Sequence, residues 1–387
     1  MPAPAARLLA ALVLTAATGG CSSVSCPETL EPGTLLSAGP LTSAAALPSA
    51  GANYAVSYIS EDPHGDPVAV TGTVAIPPTP APDDGWPVIS WAHGTTGYAG
   101  ICAPSLDFDG GPTHGYLQVV TPTLDHWVAS GYAVVATDYQ GLGGPGGAPY
   151  LNGASEAANV IDIVTAARHL EPGVATDFVA MGHSQGGQAA LFAAATAADR
   201  NPELDLRGAV AIAPGSGFSD AVEFADSDHP AAQTAQPFLP VVVLGAAVAD
   251  PAVDPETMFA PRFAPFVAAA RTSCLDQLRE LTPVPAGQVF GIDADLDALS
   301  EYLALQEPVR VSPQAPVLLA QGLADTTVSP ALTDTLAAGY CARDLAVTRR
   351  DYPGADHRGA IAAALPDTEE FVAAVFDGAP TADSCRE

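Results

Sequence analysis

The chain of 387 residues carries 43 acidic against 13 basic side chains, a formal net charge of −30, and every base is an arginine. Such a surface repels phosphate backbones and anionic headgroups, which argues against nucleic acid and against electrostatic membrane docking and leaves neutral partners. With 48% hydrophobic and 14% charged residues, extended disorder is excluded, and the length suits one large core plus an insertion.

At the N-terminus Arg7 precedes an apolar run over 8–17 that is too short to span a bilayer, so residues 1–20 read as an export signal. The run ends in Thr18-Gly19-Gly20-Cys21-Ser22-Ser23, which resembles a bacterial lipobox and makes Cys21 a lipidation candidate; ordinary secretion is the alternative. Either route places the mature chain outside the cytoplasm, anchored through Cys21 or free, and no later segment is expected to cross a membrane. Disulfides are then permitted. Residues 21–50, rich in Ser, Pro, Ala and Gly, read as a tether and irregular lead-in.

Strand-like runs follow at 54–60, 68–76 and 88–91, the last two separated by a Pro- and Asp-rich turn over 77–85. The first pair suits an antiparallel start. Beyond it, expected strands at 133–137, 178–181, 209–212, 317–320 and 346–349 alternate with expected helices at 154–169, 185–197, 329–338 and 357–376. This predicts an α/β fold with a mostly parallel central sheet flanked by helices. The alternation lapses over 218–312, where helical spacing recurs at 266–281 and 296–305. That segment is expected to be an insertion over the carboxyl ends of the strands, a cap or lid, dividing a core of 51–217 and 313–387.

Six cysteines allow too many pairings for spacing to fix the connectivity. The expected pairs are Cys102 with Cys274 and Cys341 with Cys385, leaving Cys26; a local Cys21 to Cys26 bridge is open if Cys21 stays unmodified.

Gly182-His183-Ser184-Gln185-Gly186 lies between an apolar strand and a small-residue helix, the setting of a nucleophile elbow. A serine hydroxyl at neutral pH needs a base to take its proton and a carboxylate to orient that base. Only His229 and His357 follow Ser184. His229 falls within the insertion, before any suitable acid, and reads as a solvated loop histidine. His357 lies between the last strand and the last helix and is the expected base. Asp325, just past the strand at 317–320, is the expected acid; its other reading is a helix N-cap, a role Thr327 or Ser329 can fill. Asp334 is the weaker acid candidate. The oxyanion donors are expected from the backbone N–H of Gln185 and from the loop His93-Gly94-Thr95-Thr96-Gly97, with Thr95 first and Thr96 second. His93 itself reads as a packed structural histidine.

Other features carry less. Asp293, Asp295 and Asp297 imitate the start of a calcium loop, but Ala298 replaces its glycine and Ala304 its final carboxylate. The glycines over 141–147 lack the lysine of a phosphate loop. No metal or cofactor is expected.

Taken together, Ser90-Trp91-Ala92-His93-Gly94-Thr95-Thr96-Gly97, Cys102-Ala103-Pro104-Ser105, Ala136-Thr137-Asp138-Tyr139-Gln140-Gly141-Leu142-Gly143, the motif around Ser184, and Gln321-Gly322 through Asp325 resemble the secretory lipases related to fungal lipase A, in their actinobacterial form. The resemblance implies an α/β-hydrolase fold, lipase or carboxylesterase activity on a neutral ester or lipid, a helical cap, no metal requirement, and disulfides compatible with the pairs above. Two rivals are a serine peptidase or amidase on the same fold, which needs a charged pocket that the sequence does not display, and an anchored binding protein without catalysis.

Overall fold

The computed structural model describes residues 30–386 except 145, 230 and 231, so Cys21, Cys26 and the export signal lie outside it. Among the described residues nine strands form one sheet: β1 (Leu35–Pro40), β2 (Ala52–Glu61), β3 (Pro67–Ile76), β4 (Trp86–Ala92), β5 (Ala133–Thr137), β6 (Val174–His183), β7 (Asp205–Ile212), β8 (Val317–Gly322) and β9 (Val347–Tyr352). Their spatial order is β1-β2-β3-β5-β4-β6-β7-β8-β9. Pairing is antiparallel from β1 through β3 to β5 and parallel from there to β9. The parallel strands are covered on both faces, which is why β8 is buried at every position.

β1 corrects the expectation of an irregular lead-in. It pairs along β2 as the edge strand and leaves most of its side chains exposed, so the sequence shows no apolar alternation there. The lead-in also docks: Leu47 is buried, and Ser49 donates to Asp125 from both its amide (2.7 Å) and its hydroxyl (2.8 Å).

Helices make the crossovers. α1 (His114–Ala129) joins β4 to β5, α2 (Gly153–Leu170) joins β5 to β6, and α3 (Gln185–Arg200) joins β6 to β7. α1 was not expected from the sequence, because Pro122 stands in its interior. A mid-helix proline costs about 3 kcal/mol. The stripe of Tyr116, Leu117, Val120, Leu124, Trp127 and Val128 is buried at roughly 1.5–3 kcal/mol per large apolar side chain, and that burial wins.

Among the described residues, seven α-helices come between β7 and β8: α4 (Phe218–Ala225), α5 (Ala232–Ala235), α6 (Leu239–Ala249), α7 (Pro255–Met258), α8 (Ala264–Ala270), α9 (Leu275–Leu278) and α10 (Asp297–Leu305). They enclose an apolar cluster of their own around Leu244, Phe263, Phe266 and Leu299, which also takes in Tyr150 and Leu151 from the loop before α2. Residues 232–249 are apolar and long enough to pass for a membrane span, but 56% of the stretch is buried in the protein and Pro237 marks a break before α6. The single helix expected over 266–281 is broken as well. Cys274 is drawn into an extended conformation, bridging Gly97 in antiparallel fashion and bonded to Cys102.

α11 (Pro330–Cys341) joins β8 to β9, and α12 (Gly359–Ala363) and α13 (Leu365–Phe376) end the fold. The last two replace the one helix expected over 357–376, with Pro366 starting the second. α1, α12 and α13 pack on one face of the sheet; α2, α3 and α11 pack on the other. A second disulfide joins Cys341, at the end of α11, to Cys385.

Candidate active site

β6 ends at His183 and α3 begins at Gln185, so Ser184 alone makes the turn from strand to helix. It does so at φ 59° and ψ −117°, a conformation that costs a residue with a side chain about 1–3 kcal/mol. Backbone bonds hold it there: the Ser184 N–H donates to the Ile212 carbonyl at 2.9 Å, and the Ser184 carbonyl accepts from Gly215 at 2.9 Å and from Gln188 at 3.2 Å. Space is the other condition. A Cβ on Gly182 would run into the Gly186 carbonyl, and one on Gly186 would run into the Ala92 carbonyl of β4. Close backbone approach therefore fixes both glycines of the motif.

His357 reaches this turn from the loop after β9. Its Nε2 lies 3.0 Å from Ser184 Oγ, and its Nδ1 lies 2.7 Å from Asp325 Oδ2. A carboxylate only accepts, so Nδ1 carries the proton and Nε2 presents its lone pair to the serine hydroxyl. The Asp325 side chain is fully enclosed. Its Oδ1 accepts from the backbone of Thr327 (2.7 Å) and Val328 (2.9 Å), and Gln321 Nε2 donates to Oδ2 at 3.3 Å. Ser329, not Asp325, caps α11. Asp334 sits on the outer face of that helix and pairs with Arg349, and His229 is exposed with its ring against Phe224. Asp293 and Asp295 before α10 and Asp297 at its first position are all exposed.

His183, inside the motif, has a part that sequence reasoning missed. Its Nε2 donates to the carbonyl of His357 at 2.9 Å, and its Nδ1 accepts from the Tyr116 hydroxyl at 3.3 Å. Tyr116 in turn accepts the Gly94 N–H at 2.7 Å. This chain links the base loop to the loop of residues 93–97. Burial first, and the neighbouring His357 second, push the His183 pKa well below the usual histidine range, so the ring stays neutral and keeps one tautomer. His93 is buried against Tyr139, as expected of a structural histidine.

A cleft of about 250 Å³ opens over Ser184 and His357, bounded by Gly94, Thr95, Phe238, Leu275, Arg279 and Arg358. A larger space of about 410 Å³ lies beneath α1 between Trp91, Leu117 and Asp138, away from the serine. Thr95 lines the cleft, with its hydroxyl 2.7 Å from that of Tyr150. Thr96 does not line it; its carbonyl accepts the Leu275 N–H at 2.7 Å, pinning α9 to this loop beside the Cys102–Cys274 bridge. Gln185 supplies the first amide of α3, which by position has no partner inside the helix. Glu156, on the buried face of α2, accepts from the Gln185 side chain at 2.7 Å and the Leu151 N–H at 2.9 Å. A lone carboxyl between Ala157, Ala158 and Val160 was the signal for it in the sequence. Among the described residues, no three metal-ligating side chains converge.

Residues 116–242 match the secretory lipase family. A Mycobacterium tuberculosis protein named "probable inactive lipase" is 30% identical over 166 residues, which cover 41% of this chain and 35% of that relative. The chain thus spans about a third of the length of this curated relative. Of solved structures, lipase A of Candida antarctica superposes with a TM-score of 0.77 at 21% identity, over 92% of this chain and 84% of that one. The rice cell wall degrading esterase LipA of Xanthomonas oryzae superposes with a TM-score of 0.68 at 20% identity, over 89% and 97%. The fold is the α/β-hydrolase fold, and the resemblance to secretory lipases read from the motifs holds.

Proposed function

We propose that the protein is an extracytoplasmic serine hydrolase that cleaves carboxylic esters through an acyl-enzyme. One observation carries this reading: Ser184 Oγ, both ring nitrogens of His357 and Asp325 Oδ2 form one hydrogen-bonded line at 3.0 and 2.7 Å. In the first half-reaction His357 Nε2 takes the serine proton as Oγ attacks the ester carbonyl. The Gln185 amide, with an amide from the Thr95 position, holds the oxyanion, and Asp325 stabilises the imidazolium. His357 then protonates the leaving alcohol. Water, deprotonated by the same imidazole, attacks the acyl-serine and releases the acid.

The family match over 116–242 and the lipase and esterase neighbours agree with this chemistry. The relative named inactive favours the second reading, a binding protein that has kept the fold. Against that reading stand the assembled triad and the strained serine, which binding alone does not require. The two disulfides among the described residues, Cys102–Cys274 fully buried and Cys341–Cys385 packed on the core through Cys385, suit an oxidising compartment outside the cytoplasm.

A fluorophosphonate probe followed by a profile of p-nitrophenyl esters from short to long chains tests the proposal. Labelling at Ser184 with ester turnover is the expected result; absence of labelling supports the binder, and peptide turnover without ester turnover supports a peptidase. The same profile separates a lipase from a short-chain esterase. Mass spectrometry of the mature N-terminus tests anchoring through Cys21.

A further inference from the structure

Two of the chain's thirteen arginines, Arg279 and Arg358, stand in the wall of the cleft that holds Ser184 and His357. Arg279 closes α9, and Arg358 directly follows the base. Both donate to the same oxygen, Asp276 Oδ1, each at 2.9 Å. Among the described residues, Asp276 is the only carboxylate within ion-pair distance of either, so the cluster keeps one uncompensated positive charge. Rings hold the guanidiniums in place: Arg279 lies 5.4 Å over Phe238 and Arg358 lies 5.5 Å over Tyr116. Arg358 also donates to the Gly115 carbonyl at 3.2 Å. Arg279 makes a single protein hydrogen bond among the described residues, with five N–H groups to offer and its side chain 35% exposed.

The overall charge of −30 does not set the sign here. Fields of surface carboxylates fade over a Debye length of about 8 Å at physiological ionic strength, whereas a group bound in the cleft lies against the guanidiniums themselves. We infer that Arg279 and Arg358 bind a carboxylate carried by the substrate, so that the site prefers esters bearing a free acid group over neutral esters of the same length. This inference rests on the ester-hydrolase reading for its substrate, and on the arginine pair alone for its anion.

Two measurements separate those dependencies. The first is calorimetric binding of monomethyl succinate to the Ser184→Ala protein, where turnover plays no part. Binding that Arg279→Gln weakens by about tenfold, a 1.4 kcal/mol change, is expected; binding that Arg279→Gln leaves unaltered, or no binding, overturns the anion site. The second compares kcat/KM for 4-nitrophenyl hydrogen succinate and methyl 4-nitrophenyl succinate, each corrected for spontaneous hydrolysis. The acid ester is expected to be favoured by at least about tenfold. Arg279→Gln lowers that ratio and Asp276→Asn, which leaves both guanidiniums uncompensated, raises it. A purely structural role for the arginines lowers both rates together and leaves the ratio unmoved, which overturns the inference. Turnover of N-benzoylglycyl-leucine, with its free carboxylate, in place of both esters keeps the anion site and removes the ester reading.

Discussion

Glu156 Oε1 accepts a 2.7 Å hydrogen bond from the side chain of Gln185, the residue that follows the serine, and does so from a fully enclosed position. Its other oxygen, Oε2, has no hydrogen-bond partner among the described residues. Burial dominates, and the bonds from Gln185 and Leu151 only partly oppose it, so the carboxyl is pushed up to about 8. The first turn of α3 therefore rests on a protonated acid at neutral pH.

The pH dependence follows. Unfolded, Glu156 ionises near the ordinary value of 4.5; folded, it keeps its proton to about 8. Between those values the folded state binds more protons, so this residue's contribution to stability is present in full below the lower value and is lost as pH rises through the upper. At about 1.4 kcal/mol per pKa unit the loss amounts to several kcal/mol. Thermal unfolding from pH 5 to 9 should show a falling Tm, and Glu156→Gln should flatten that slope while holding the Gln185 and Leu151 contacts. Parallel slopes for the two proteins would refute the assignment.

Asp325→Asn tests the orientation of His357. An amide in place of the carboxylate favours the wrong imidazole tautomer, so kcat should fall by about 10⁴, and Ser184→Ala should cost at least as much. Steady-state rates with a p-nitrophenyl ester read both. Because Asp325 also anchors the Thr327 and Val328 amides, the asparagine variant should lose some Tm, whereas Ser184→Ala should not.

Gly186→Ala should abolish activity and destabilise the fold by more than about 3 kcal/mol, since its Cβ has no room beside the Ala92 carbonyl and the backbone of β4 has nowhere to yield. Gly65→Ala is the control. That glycine has positive φ, unlike Gly186, but meets nothing within 4 Å, so it should pay only the conformational cost, on the order of 1 kcal/mol. Chemical denaturation of the two variants distinguishes crowding from conformation.

Replacing Cys102 and Cys274 together by serine opens a bridge across 172 residues, for which chain-entropy arguments give roughly 2–5 kcal/mol. The Leu275 to Thr96 bond beside it holds one wall of the cleft, so ester turnover should fall by more than the folded fraction accounts for. Activity corrected for folded protein is the measurement; equal losses would show that the bridge serves stability alone.

The proposed triad was legible because each member is announced by local context: glycines around a serine between strand and helix, an aspartate just past a strand, a histidine before the last helix. Other parts were hidden for physical reasons. β1 lies at an edge, where exposure erases the apolar alternation that marks a strand. α1 contains a proline whose cost is outweighed only by packing on a sheet not yet in view. The charge of the cleft depends on Asp276 and Arg358, which lie 82 residues apart and meet only when α9 folds back over the loop after β9. Burial gave Glu156 its importance, and a charged letter amid alanines signals burial only weakly.

Ser184 and the histidine that touches it are separated by 173 residues, among them the whole helical segment between β7 and β8. Closing so long a stretch of chain costs loop-closure entropy that a local contact does not. A nascent or half-folded chain that has completed β6 and α3 holds its serine without a base. On the proposed chemistry, a chain in which the loop after β9 has not yet docked is chemically silent.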